Sequence, residues 1–314
     1  MLKIMEKRNA RILGVLLSLM LVLGTMCTVP AFASQQGGEG TYVVDGVTYN
    51  FAIYDFNDLK TLESKVETQS AGSVSAPALK DYDVILMDNI TIPEDVEWDG
   101  IGLPQSFKGF MGTFNGNGKT ITAHISNSSN VGPKGGIFNL VGSDLSDENS
   151  KTVIKNLNIT GDVSSNRFIG GVVGRVMGNL DIENCSVDMD LDLSSGASNS
   201  VGGLIGQCGS GAGGGSGTSG DSQGTVNVTE CNISGTFTSD TSNNPVGGMF
   251  GHIYSGYTVV IADSAVSASL SAPSGTNVGA YIGNNAGVVT LKSCQNTTGI
   301  SANAGTNNGT ITVE

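Results

Sequence analysis

From Gly112 onward, apolar and polar positions follow a recurring beat. Glycines precede short apolar runs at Gly135-Gly136-Ile137-Phe138, Gly170-Gly171-Val172-Val173-Gly174, Gly202-Gly203-Leu204-Ile205-Gly206, Gly247-Gly248-Met249-Phe250-Gly251 and Gly279-Ala280-Tyr281-Ile282-Gly283. Their first glycines stand 35, 32, 45 and 32 residues apart. A second element follows each, at Ile154 to Ile159, Ile182 to Val187, Val228 to Ile233, Ile261 to Val266 and Leu291 to Asn296. In these elements apolar and polar residues alternate, the period of a strand, and no helical spacing is found after Gly112. Short strands separated by Gly, Asn and Ser turns predict one coil per repeat, stacked by parallel hydrogen bonding at ~4.8 Å per coil. A single coil buries almost nothing. Several stacked coils align their apolar positions into one column.

The pattern upstream is different. Val43 to Tyr49 predicts a hairpin around Asp45-Gly46. Asn57 is a candidate cap for a short helix that carries Leu59, Leu62 and Val66 on one face. Residues 67–80 are a polar, Ala/Ser-rich loop, and Asp83 to Ile92 returns to strand. Residues 34–106 are therefore expected to be an α+β cap over the open end of a solenoid, which otherwise exposes unpaired strand edges. The solenoid itself is expected over 107–314, interrupted by the Gly-rich loop 209–224, a tolerated insertion or a binding loop.

Residues 1–33 read as a signal peptide. Lys3, Lys7, Arg8 and Arg11 precede the apolar run Ile12 to Met26, and Ala31-Phe32-Ala33 supplies a small-x-small cleavage site. Met26 beside Cys27 fits lipid attachment poorly. No later segment has the ~20 apolar residues of a membrane helix. The expectation is a secreted, extracellular protein, either released or held at a cell surface by non-covalent contacts.

Charge narrows the partners. The chain carries 15 Lys+Arg against 28 Asp+Glu, a net of −13. Removing the four basic residues and one acid (Glu6) of the signal leaves 11 against 27, a net of −16. Such a field repels phosphate backbones, so nucleic acid is excluded as a partner. Gly116-Asn117-Gly118-Lys119-Thr120 resembles a phosphate-binding loop, but Gly112 stands one residue too early for its first glycine. A strand also follows where that loop requires a helix. Asn115-Gly116 and Asn117-Gly118 are read as turns, and no nucleotide is expected.

The Gly203-Leu204-Ile205-Gly206 type of repeat resembles the GLUG motif of bacterial surface and secreted proteins. Trp98 to Gly102 and Phe107 to Ile121 are similar to the segment that opens the helix in that family. The resemblance covers roughly residues 84–314. It implies an all-β, right-handed parallel β-helix of about six coils. It also implies kinship with adhesins and with the non-catalytic part of some IgA-degrading proteases.

Candidate chemistry is sparse. Cys185, Cys231 and Cys294 occupy the slot held elsewhere by Leu157 and Ser264, an inward position, so a ladder of small core residues is expected. Cys185 and Cys231 on neighbouring coils would also satisfy the Cα separation of a disulfide, which export permits. His124 and His252 lack metal-ligand spacing and are read as isolated. Asp188, Asp190 and Asp192 line one outer face, a row that could hold Ca²⁺ or supply the acid and base of a sugar hydrolase. β-Helical pectinases differ at the residues that matter. This chain has no Asp-Asp pair, Gly251-His252 is followed by Ile253, and the only arginines after the signal are Arg167 and Arg175. A solvated, weakly binding face is expected, with no resident cofactor. The function expected is non-catalytic recognition of a host protein or extracellular glycan. A polysaccharide-active enzyme is the alternative, and a structural spacer the third reading.

Overall fold

The computed structural model describes residues 36–71, 82–102, 109–127, 135–142, 151–193, 199–209, 223–241, 243–273 and 277–314. The signal segment 1–33 and most of the loops 67–80 and 209–224 lie outside them. The described residues are β apart from one helix, Phe56–Ala71.

Four sheets account for the strands. The first has ten, in the order Gly38–Val44, Val47–Ile53, Asp83–Leu86, Thr113–Asn115, Lys151–Lys155, Asn179–Glu183, Gly224–Thr229, Tyr257–Ala262, Val288–Lys292 and Thr310–Val313. The second runs through Ile90–Ile92, Thr120–Asn127, Asn158–Ser165, Ser186–Leu193, Asn232–Ser239, Ala265–Val266 and Gln295–Asn296, with Ser269–Ser271 beside it. The third joins Phe138–Gly142, Val173–Met177, Ile205–Cys208, Phe250–Ile253, Ile282–Asn285 and Ala304–Asn307. A short fourth holds Ile169–Gly170, Val201–Gly202, Val246–Gly247 and Val278–Gly279. Apart from the antiparallel hairpin Gly38–Val44/Val47–Ile53, neighbouring strands are parallel. From Lys151 to Asn285 the chain visits first, second, fourth and third sheets in unchanging order.

This order aligns like residues. In the first sheet Phe51, Val84, Phe114, Ile154, Ile182, Val228, Ile261 and Leu291 follow one another in register, all buried. The second sheet opposes them with Ile90, Ile121, Ile159, Val187, Ile233 and Val266. Each side chain so buried contributes roughly 1.5–3 kcal/mol, and together these rows form one apolar cluster.

The six residues from Ile154 to Ile159 are not one alternating strand, as expected, but two strands meeting at a corner. Asn156 takes φ 53°, and the same corner recurs at Asn184 (50°), Glu230 (56°), Asp263 (48°) and Ser293 (51°). The left-handed residue turns the chain so that the next one faces inward. Asn tolerates that conformation, and its amide also ties the coils: Asn184 Nδ2 donates to Asn156 Oδ1 at 2.8 Å, and Asn156 Nδ2 to Asn115 Oδ1 at 3.1 Å.

The hairpin closes through Asp45 (φ 51°) and Gly46 (φ 79°). The helix cap falls two residues before the expected Asn57. Asp55 Oδ1 accepts the N–H groups of Asn57 (2.8 Å) and Asp58 (3.0 Å), which puts Asn57 inside the first turn. Leu59, Leu62 and Val66 are fully buried against the same apolar cluster.

The fourth sheet depends on close approach of backbone to backbone. A Cβ on Gly247 would stand 2.1 Å from the Phe250 carbonyl oxygen and 2.5 Å from the Gly283 nitrogen. Gly202 repeats this against Ile205 at 2.2 Å. A methyl there forces a backbone shift. Gly247→Ala is expected to cost ~1–3 kcal/mol, measured by urea unfolding; unchanged stability would show that the corner can open.

Candidate functional site

Two outer surfaces carry polar chemistry. The first is the outer face of the second sheet, where Ser186–Leu193 alternates strictly, burying Val187, Met189, Leu191 and Leu193 and exposing Asp188, Asp190 and Asp192. Parallel register extends each aspartate into a row. Asp188 lies between Thr160 and Ser234, with Thr122 beyond. Asp190 lies between Asp162 and Thr236, with His124 beyond, and Asp192 between Ser164 and Thr238, with Ser126 beyond. Rows recur at the ~4.8 Å strand spacing and residues along a strand at ~6–7 Å, which makes a flat grid of hydroxyls and carboxylates.

Hydrogen bonds fix the grid. Ser234 Oγ donates to Asp188 Oδ1 at 2.9 Å, Thr238 Oγ1 to Asp192 Oδ1 at 2.8 Å, and the Thr236 N–H to Asp190 Oδ1 at 3.2 Å. His124 is not isolated: its Nδ1 meets Asp162 Oδ1 at 2.5 Å. That pairing was hidden in the sequence, because residues 38 apart meet only through register. Among the described residues no three His, Cys, Asp or Glu side chains converge as metal ligands.

The expected cysteine slot forms a column. Successive coils stack Leu157, Cys185, Cys231, Ser264 and Cys294, and the carbonyls of Leu157, Cys185, Cys231 and Ser264 accept from the N–H groups of Ser186, Asn232, Ala265 and Gln295. Cys185, Cys231 and Cys208 are buried, and Cys185 and Cys231 are both free thiols. A hydrogen bond to Cys231, reinforced by burial, pushes the Cys185 thiol well up, while donation from Cys185 pulls Cys231 down. Burial also pushes up the Cys208 thiol, which stands alone in the core.

The second surface is on the third sheet. Arg175, Gln207, His252, Asn284 and Thr306 follow one another in register. They face away from the apolar cluster that holds Val173, Val176, Ile205, Cys208, Phe250 and Ile253. Arg175 lies over the Phe168 ring, Cζ 4.8 Å from its centroid, and its Nε is sealed from solvent without a hydrogen-bond partner. Burial, with a smaller contribution from the nearby Arg167 charge, lowers its guanidinium to about 10, so it stays charged at neutral pH. His252 and Tyr254 stack with ring centroids 3.9 Å apart and planes 13° from parallel. Burial pushes the Tyr254 hydroxyl up, and the Arg175 charge pulls it partway back. In the sequence Arg167 and Arg175 stand out only as the two arginines after the signal segment.

No family model matches the sequence, and no curated protein matches it. One solved structure, that of a candidate immunoglobulin A1 protease from Bacteroides ovatus, is similar with a TM-score of 0.51 and 18% identity, covering 83% of each chain. That likeness is one of fold. Among the described residues no helix is long and apolar enough to cross a membrane.

Desolvation lowers His252 from 6.5 to about 4, so the folded chain holds it neutral. Above pH ~6.5 both states are neutral there and this stability is complete; as pH falls toward 4 the unfolded chain gains a proton the folded chain refuses, and stability is lost. Urea titrations should show that acid slope, reduced in His252→Asn. With thiol reagents the native chain should label at Cys294, the one half-exposed cysteine among the described residues, and at Cys185 and Cys231 only after unfolding.

Proposed function

We propose that the chain is a secreted, non-catalytic binding protein that recognises a host protein or glycan outside the cell. On this reading the cyclic succession of sheets is a right-handed parallel β-helix of the GLUG type, its hand following the near-universal rule for parallel crossovers. The observation that carries the proposal is the grid on the second sheet. Asp188, Asp190 and Asp192 are each held by a hydroxyl or N–H from the adjoining strand. A rigid, flat array of acceptors and hydroxyls suits broad polar contact with an extended ligand, where a catalyst needs convergent groups around one bond. The protease assignment of the Bacteroides ovatus protein belongs to that protein; a shared scaffold leaves chemistry open.

The His124–Asp162 pair beside Asp190 favours a second reading, hydrolysis or elimination on a polysaccharide. One experiment separates the two. The exported chain is applied to glycan and serum-protein arrays, and in parallel incubated with immunoglobulin A and with acidic and neutral polysaccharides. A binder is retained on a discrete ligand without product, and the triple variant Asp188→Asn/Asp190→Asn/Asp192→Asn loses at least about tenfold in affinity. Product formation abolished by Asp190→Asn or His124→Gln would replace binding with catalysis. Retention unaffected by the triple variant would remove this face from the account.

A further inference from the structure

Cys185, Cys208, Cys231 and Cys294 follow the signal segment. Four cysteines can pair in three ways, and the stacking of the coils selects one bond. Cys208 stands on the third sheet, outside the slot. Cys294 is held a coil away from Cys231, because Ser264 fills the slot between them. Cys185 and Cys231 are immediate neighbours. Glu183 aligns with Thr229 on one side of the slot and Ser186 with Asn232 on the other, so the two cysteines face each other in register. Adjacent strands stand ~4.8 Å apart, inside the ~4.4–6.8 Å Cα range of a disulfide. The two thiols already share a hydrogen bond, and both are reduced in the structure.

This pair also spans the stretch of chain where a cross-link constrains most. From Leu157 onward, the slot recurs after 28, 46, 33 and 30 residues. The longest interval is the one from Cys185 to Cys231, which contains the join of residues 209–223. A bond across the longest loop removes the most freedom from the unfolded chain. Its place matters as well. The ladder between Ser186–Leu193 and Asn232–Ser239 begins at Ser186 and Asn232, one residue beyond each cysteine. That ladder carries the Ser234–Asp188, Thr236–Asp190 and Thr238–Asp192 hydrogen bonds.

We propose that Cys185 and Cys231 are a redox pair that closes to a disulfide in an oxidising compartment, stapling strand Ser186–Leu193 to strand Asn232–Ser239. The bond forms as the chain folds, before the slot is sealed. The Cys185 thiolate attacks an external disulfide, forming a mixed disulfide and releasing one thiolate. Once the strands are in register, the Cys231 thiolate attacks the Cys185 sulfur and expels the second. The two protons of the cysteines pass to the released thiolates, so the external disulfide is reduced as the pair is oxidised. Burial then keeps reductants from the finished bond. The staple is independent of what the chain binds.

Refolding the reduced, exported chain in a glutathione buffer with the oxidised form in excess tests this. The product is alkylated in urea, digested and mapped by mass spectrometry. The peptide of Cys185 is expected linked to that of Cys231, with Cys208 and Cys294 alkylated. In urea the oxidised chain should unfold later than the same chain kept in dithiothreitol, its unfolded fraction lower by about tenfold or more at a given concentration. Cys231→Ser should lose both the linkage and the redox dependence. Serine suits the slot: Ser264 Oγ donates to the Ala262 carbonyl at 2.7 Å, as Cys231 Sγ does to that of Thr229 at 3.4 Å. Should the variant fail to fold, the oxidised and reduced parent decide between them. Alkylation of both Cys185 and Cys231 after oxidative refolding, linkage of either to Cys208 or Cys294, or a urea midpoint indifferent to dithiothreitol overturns the proposal.

Discussion

At each passage through the fourth sheet, the carbonyl oxygen of a residue three positions on comes to about 2.1 Å from where a side chain would begin on the corner glycine. At Gly170, Gly202, Gly247 and Gly279 the same distance recurs, against Val173, Ile205, Phe250 and Ile282. The glycines there are required by proximity: none of the four has positive φ. Because the backbone can double back this tightly, the residues after the corner re-enter the interior in the same place on every coil. Ile205 then lies over Val173 and under Phe250, and the apolar column continues without a gap.

That column determines the outside as much as the inside. Once inward positions are aligned from coil to coil, outward positions are aligned as well, since successive side chains of a strand alternate. Rows such as Thr122–Thr160–Asp188–Ser234 and Arg175–Gln207–His252–Asn284 are by-products of the core registration. Their chemistry is set separately on each coil, so a polar surface can be edited one residue at a time without disturbing the interior. The two outer surfaces differ accordingly. One is acidic and hydroxyl-rich, the other holds a buried guanidinium beside stacked rings.

Much of the architecture was legible in the chain. The glycine motifs, the alternation of Val187 to Leu193 and the inward slot of Leu157, Cys185 and Cys231 follow from periodicity alone. The corner at Asn156 was not legible, because alternation survives on both sides of a left-handed residue and Ile154, Leu157 and Ile159 read as one run. The helix cap was misplaced to Asn57 since Asp and Asn are equivalent candidates until the first turn is seen. The surfaces were harder still. His124 pairs with Asp162 across 38 residues, Asp162 aligns with Asp190 across 28, and Arg175 aligns with Gln207 across 32. These intervals vary with the length of each corner, and no local motif encodes them.

The unequal corners have a practical side. One residue joins Met177 to Asn179, whereas residues 209–223 join Cys208 to Gly224. Yet Arg175 still aligns with Gln207 before that join, and Leu180 with Val226 after it. Extra chain between the third and first sheets is therefore absorbed without slipping any ladder. This makes the join a natural port for grafting foreign peptides, and it makes the whole coil the unit by which such a scaffold can be lengthened or shortened.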